Sequence, residues 1–258
     1  MDLREAGEIL KKSAMLKDHP IVITALDAPP PNAMGIGGID RCTAKALYIM
    51  ARDGDQCSYA GEGHLQFCPG AQTWWGFRPP YRGLEHFVSR GSRDYRQGAA
   101  EYLKRDPDLV LRSLEAIGPM RPPGKVLGFF PVTREFTGRP LSLLLFGDAE
   151  QVRALSGLAH YGSQDPINEV RLPWGPSCAT FVTYPAGMAE NMPPCCITGP
   201  CDPTGDDWFP QEKMSFAMPM ETALRMATDA PSSFLALRAK VAFPDRTPGP
   251  QDLNIPPG

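Results

Sequence analysis

No apolar run in the chain approaches the roughly 18 residues of a membrane-spanning helix, which excludes an integral helical membrane protein. Charge of one sign is also missing. Against 29 Asp and Glu stand 26 Lys and Arg, a formal −3, and this supplies no basic surface for nucleic acid or an anionic bilayer. The opening residues, MDLREAGEILKK, hold no apolar segment of the kind that directs export, so a cytoplasmic location is expected. Familiar catalytic signatures are absent too: there is no G-x-S-x-G, no H-E-x-x-H and no EF-hand loop. Gly35-Ile36-Gly37-Gly38 precedes a helix but lacks the Lys-Ser/Thr of a phosphate loop and the full dinucleotide fingerprint, and it reads as a connector. No C-x₂-C pair occurs, so any metal site has to be assembled from distant segments by the fold.

What the chain has in excess is proline (29), glycine (25) and cysteine (7). The first two make much of it loop. An apolar content of 42% still implies a real core and rules out disorder throughout. An odd cysteine count without an export signal argues against a disulfide framework and for metal or redox work.

Leu3, Gly7, Leu10 and Ala14 recur at helical spacing, and Ile21 to Leu26 reads as a buried strand. Asp40 is placed to cap a helix running to Asp53-Gly54, with Cys42 turned inward. Two short helices are expected between Tyr95 and Ile117, broken near Asp106-Pro107. Val126–Val132 and Leu141–Phe146 look like strands buried on both faces. The second leads into Asp148-Ala149-Glu150-Gln151, a capping box opening a helix. From Arg171 to Met220 the chain reads as irregular, and two helices, Met220–Thr228 and Ser232–Phe243, close it. The expected fold is α/β, with mixed α+β possible. It forms one compact two-lobed domain over residues 2–243, followed by a Pro-rich tail over 244–258.

Five cysteines sit beside glycine or proline, in Phe67-Cys68-Pro69-Gly70, Gly175-Pro176-Ser177-Cys178 and Cys195-Cys196-Ile197-Thr198-Gly199-Pro200-Cys201. On such loops the backbone can turn N–H groups toward sulfur, which stabilises thiolate and tunes a cluster. Four thiolates would serve an iron–sulfur cluster or a tetrahedral zinc. The competing reading is a set of scattered reduced thiols. His64 reads as a proton donor or a solvated loop residue. Arg41 reads as an anion-holding or merely exposed cation, and Trp74-Trp75 as core or as the wall of a pocket for a flat ligand. A thiol paired in space with a histidine, such as Cys68 with His86 or His160, is also open.

Several short motifs in order resemble the DUF169 family, the uncharacterised ArCR proteins. They are Leu3-Arg4-Glu5-Ala6-Gly7-Glu8-Ile9-Leu10-Lys11 with Lys17-Asp18-His19-Pro20-Ile21-Val22, then Arg41-Cys42-Thr43-Ala44-Lys45-Ala46 and Ala51-Arg52-Asp53-Gly54. Cys68-Pro69-Gly70-Ala71 follows, then Ser177-Cys178-Ala179 with Pro185, Asn191 with Cys195-Cys196, and Ala217-Met218-Pro219. The resemblance covers about residues 2 to 230. Thr180 stands where the family often has Asp, and Arg41 where it often has His or another polar residue.

The resemblance implies that the recurring cysteines fall on Cys42, Cys68, Cys178 and Cys195 or Cys196. The expectation is a [4Fe-4S] cluster on Cys42, Cys68, Cys178 and Cys196, with zinc as the lesser alternative. Cys195 or Cys201 could replace Cys196, and Cys57 is a spare thiol. Arg41, Tyr59 and His64 are the expected catalytic groups around it. The activity would be redox or Lewis-acid chemistry on a small molecule, or electron transfer to a partner. A non-enzymatic carrier of metal, cluster or cofactor and a metal-free cysteine nucleophile are the alternatives. An exposed Cys195-Cys196 pair in a mobile loop would favour the carrier reading, because a carrier must release its cargo.

Overall fold

In the computed structural model, residues 1–200, 202–205 and 207–237 are described. Cys201, the end of the helix expected from Ser232 and the tail 244–258 lie outside the described residues.

The chain starts on helix α1 (Leu3–Ser13), closed by a reciprocal cap. The Asp2 carboxylate accepts from the Glu5 N–H at 2.9 Å, and the Glu5 carboxylate accepts from the Asp2 N–H at 3.2 Å. Strand β1 (Ile21–Leu26), the short β2 (Met34–Gly35) and helix α2 (Thr43–Asp53) follow. Asp40 does not cap α2 as expected. Cys42 holds the N-cap position, and the Asp40 carboxylate instead accepts from the Cys42 N–H at 2.8 Å, turning the chain just before the helix.

Next come β3 (Ser58–Gly61) and the short helices α3 (Pro69–Trp74) and α4 (Leu84–Val88). Between Tyr95 and Ile117 only the second expected helix forms, α5 (Pro107–Ile117), with Asp106 as its cap. The first is a single 3₁₀ turn, in which Arg96 and Gln97 take left-handed backbone angles that an α-helix does not admit.

The apolar runs become β4 (Val126–Pro131) and β5 (Arg139–Asp148), and helix α6 (Ala149–Tyr161) opens on the expected Asp148–Gln151 capping box. The stretch read as irregular contributes three strands, β6 (Val170–Arg171), β7 (Cys196–Gly199) and β8 (Lys213–Pro219). It also holds a π-helical turn over Ala179–Thr183. Helices α7 (Met220–Asp229) and α8 (Phe234–Leu237) complete the described chain.

All eight strands join one mixed sheet in the order β2-β3-β4-β1-β5-β8-β7-β6. Pairing is antiparallel through the middle and parallel at both edges, β2 with β3 and β6 with β7. The fold is therefore mixed α/β, a single domain built on one sheet with helices on both faces.

Side-chain alternation divides the interior in two. Ile21, Ile23, Leu127, Phe129, Leu144, Phe146, Ile197 and Ala217 face α2, α3 and the π-helical turn. Val22, Phe130, Leu143, Leu145, Cys196, Phe216 and Met218 face α1, α6 and α7. The α1 layer lies close on the sheet, since a Cβ at Gly7 would come within 2.6 Å of Val132 Cγ1. Among the described residues no helix is long and apolar enough to cross a membrane.

His19 links the turn after α1 to the end of α2. Its N–H donates to the Ala51 carbonyl at 2.6 Å, and its Nδ1 lies 2.9 Å from Lys11 Nζ. Burial, then the Lys11 ammonium, holds its imidazole below the ordinary value of 6.5. Below that value the unfolded chain binds more protons than the native one. The His19 contribution to stability is thus complete above pH of about 6.5 and is lost as pH falls through the lowered folded value. In urea titrations between about pH 7 and about pH 5, the midpoint is expected to fall more steeply for the native sequence than for His19→Gln. That replacement keeps an acceptor for Lys11 but does not titrate. Equal slopes would remove His19 as the source.

Candidate functional site

Three cysteines stand at the start of three helical segments on the α2 side of the sheet. Cys42 is the N-cap of α2, Cys68 the N-cap of α3, and Cys178 immediately precedes the π-helical turn. The local causes differ. The Asp40 turn sets Cys42, and Pro69 supplies a preset first helical residue after Cys68. At Cys178 the turn opens with Ala179 and Thr180 N–H groups donating to the Pro176 carbonyl. It then widens to a π-type step, Tyr184 N–H to Ala179 carbonyl at 3.1 Å. One-turn π insertions of this kind are frequent at functional sites.

These segments pack on one another. Thr43 Oγ1, next to Cys42, lies 3.8 Å from Cys68 Sγ. A Cβ built on Gly70, in the first turn of α3, would lie 3.9 Å from Cys178 Sγ, so the start of α3 packs on the segment that carries Cys178. The buried Trp75 donates its indole N–H to the Cys178 carbonyl at 3.0 Å and fixes that backbone.

Cys196 is not with them. Its side chain belongs to the α1–α6–α7 side of the sheet and is 1% exposed, because β7 turns Ile197, not Cys196, toward α2. The expectation that Cys196 joins Cys42, Cys68 and Cys178 is corrected by this parity. Cys195 packs at the β6 edge beside Glu169, Arg171 and Arg225. Burial pushes the thiols of Cys57, Cys195 and Cys196 up, which disfavours their thiolates. Cys201 lies outside the described residues. Its chain neighbours do not: Gly199 packs against Thr180 of the π-helical turn, and Asp202 shares a cavity wall with Pro69, Gly70 and Pro176.

Among the described residues, no three His, Cys, Asp or Glu side chains form a set that could hold a metal ion. A single tetrahedral ion of the zinc kind needs all its donors within bonding reach of one centre. A four-iron cluster puts each cysteine on a separate iron, and its ligands stand farther apart.

The polar residues expected around the site are placed unevenly. His64 and Tyr59 pack edge to face, ring centroids 4.8 Å apart, with Gly35 beside both. His64 is exposed, and so is Arg41. The structure brings Tyr59 and His64 together as a pair. His160 lies on α6, across the sheet from Cys68, with Nδ1 3.2 Å from the Asp165 carbonyl, and His86 lies 3.7 Å from Glu85. Neither is paired with Cys68.

Beside the cysteines lies a cavity of about 180 Å³. Pro69 and Gly70 form one wall, Pro176 and Trp174 another, and Trp74, Tyr81, Phe87, Arg96, Glu101 and Asp202 complete it. Trp74 and Trp75 thus divide the two roles read from the sequence: Trp74 faces the cavity and Trp75 the core. Arg96 lies over three rings, 4.9 Å from Phe87, 5.5 Å from Tyr95 and 5.7 Å from Tyr81. Lys104 covers the Trp174 ring at 4.6 Å. Sequence reasoning missed this wall. The signal available was the aromatic density of residues 74–102, but their meeting with Trp174 and Asp202 is a tertiary event.

A family model described as DUF169, uncharacterised ArCR, matches residues 9–229. No curated protein and no solved structure matches the chain.

Proposed function

The chain belongs to the DUF169 family, and from that premise and the site geometry we propose that it is an iron–sulfur protein whose four-iron cluster is held by Cys42, Cys68, Cys178 and Cys201. The observation that carries the reading is the coincidence of three cysteines, each at the head of a helical segment, on segments that touch one another. Unsatisfied N–H groups at helix starts favour negative charge, and the start of α2 gives that field to Cys42. Cys196 is turned to the other face of the sheet, and Cys201 is the alternative fourth ligand that the sequence supplies. When bound, such a cluster supplies electron transfer or, at an iron without a cysteine, a Lewis acid. The adjoining cavity would hold a small molecule, with its rings excluding water and Arg96, Glu101 and Asp202 orienting it.

The carrier alternative asks for an exposed Cys195-Cys196 pair, and the burial of Cys196 is against it. A metal-free nucleophile asks for a cysteine–histidine pair, and neither His86 nor His160 is set against Cys68.

The test is anaerobic purification with iron and acid-labile sulfide analysis, beside single Cys→Ala variants. About four irons per chain are expected. They should be lost on changing Cys42, Cys68, Cys178 or Cys201 and retained on changing Cys57, Cys195 or Cys196. Iron-free protein after anaerobic reconstitution, or iron indifferent to Cys42 and Cys178, would overturn the reading.

A further inference from the structure

The charges around the 180 Å³ cavity select among ligands. The volume is below the roughly 300–1,000 Å³ of drug-sized sites, so a small metabolite fits and a dinucleotide does not. Its walls are apolar rings, with one cation and two carboxylates set into them.

A wholly apolar ligand would leave the carboxylate of Asp202, a residue only 7% exposed, facing hydrocarbon. One oxygen of that carboxylate is already used, since Oδ1 accepts from the Thr204 hydroxyl at 3.1 Å and the Gly205 N–H at 3.0 Å. A simple anion would meet two carboxylates and one guanidinium. A simple amine would meet Arg96 at the exposed rim. Arg96 is the cation among the described residues that line the cavity, its guanidinium carbon 4.9 Å from the nearest ring centre, that of Phe87, and its N–H groups suit a carboxylate.

We propose that this cavity binds a small apolar amino acid, its ammonium on Asp202, its carboxylate on Arg96 and its side chain against Trp74 and Trp174. The binding groups all belong to the chain, so this site stands whether or not the cysteines hold iron.

Trp74 and Trp174 report the test directly. Their fluorescence is followed during titration with leucine and phenylalanine, and with 4-methylpentanoate and 3-methylbutylamine, which lack the amine and the carboxylate respectively. Calorimetry supplies the affinities independently. The amino acids are expected to bind at least about tenfold more tightly than either analogue, the usual scale for a charged hydrogen bond lost. Asp202→Asn should erase the preference over the acid, and Arg96→Gln the preference over the amine. Binding should persist in Cys42→Ala, in which the proposed cluster site is broken. Equal affinity for all four compounds, or no binding of either amino acid to the native protein, overturns the proposal. Those comparisons need no variant to fold.

Discussion

Replacing Trp75 with alanine is expected to cost about 3–5 kcal/mol of stability, the range for emptying a large aromatic site in a core. The residue is fully buried, and its ring lies 5.3 Å from Phe129 in the middle of the sheet. The surrounding strands cannot close on the space it leaves, since β4 is held on both sides, by β1 and by β3. Trp75→Phe separates packing from hydrogen bonding. It keeps most of the apolar body and removes the N–H that holds the Cys178 carbonyl, with an expected loss of about 1–3 kcal/mol. Urea denaturation checks both values. On the proposed cluster reading, Trp75→Phe should hold as much iron as the unsubstituted chain if Trp75 only fills volume. If the indole sets the Cys178 backbone, iron per chain should fall while the protein stays folded.

A second large effect is expected at the Lys213–Asp18 ion pair. Asp18 lies in the turn between α1 and β1, and Lys213 opens β8 with its ammonium 5.6 Å from the Tyr48 ring centre. The two side chains are 7% and 18% exposed, so water screens the pair only partly. Removing one member leaves the other without its counter-charge. Asp18→Asn or Lys213→Met is expected to cost about 2–4 kcal/mol, near the lower end for a buried pair because Lys213 keeps some solvent. The double variant Asp18→Asn/Lys213→Met should recover part of that loss. A four-protein denaturation cycle measures the recovery, and strict additivity would show that the contact contributes no coupling.

Most of the scaffold was legible because its signals are local. The Asp148–Gln151 capping box lies within four residues, and β1, β4 and the Leu141–Phe146 part of β5 are mostly apolar runs. Strands β6 and β7 were not legible. Two and four residues long, they carry too few alternations to declare a period, and their pairing depends on distant β8. The error at Cys196 follows from that. In an unrecognised strand the face of each residue is undefined, and neighbours Cys195 and Cys196 look interchangeable. Cys42, Cys68 and Cys178 were identified by type and by glycine and proline nearby, while their shared role as helix starts required the fold. Arg96 and Asp202 carried no sequence signal, because what distinguishes them is the cavity they close.

The division of the interior by one sheet has a genetic corollary. Substitutions among Leu3, Leu10, Leu155 or Met226 reach only the layer opposite Cys42, Cys68 and Cys178. They should lower the amount of protein in a cell while leaving the activity of each surviving molecule intact. Substitutions around Trp74, Gly70 or Cys178 should do the reverse or do both. A library scored separately for abundance and for growth would then sort into two groups of positions. The border between them would run along the alternating residues of β1, β4 and β5, with Val22 falling on one side and Ile23 on the other.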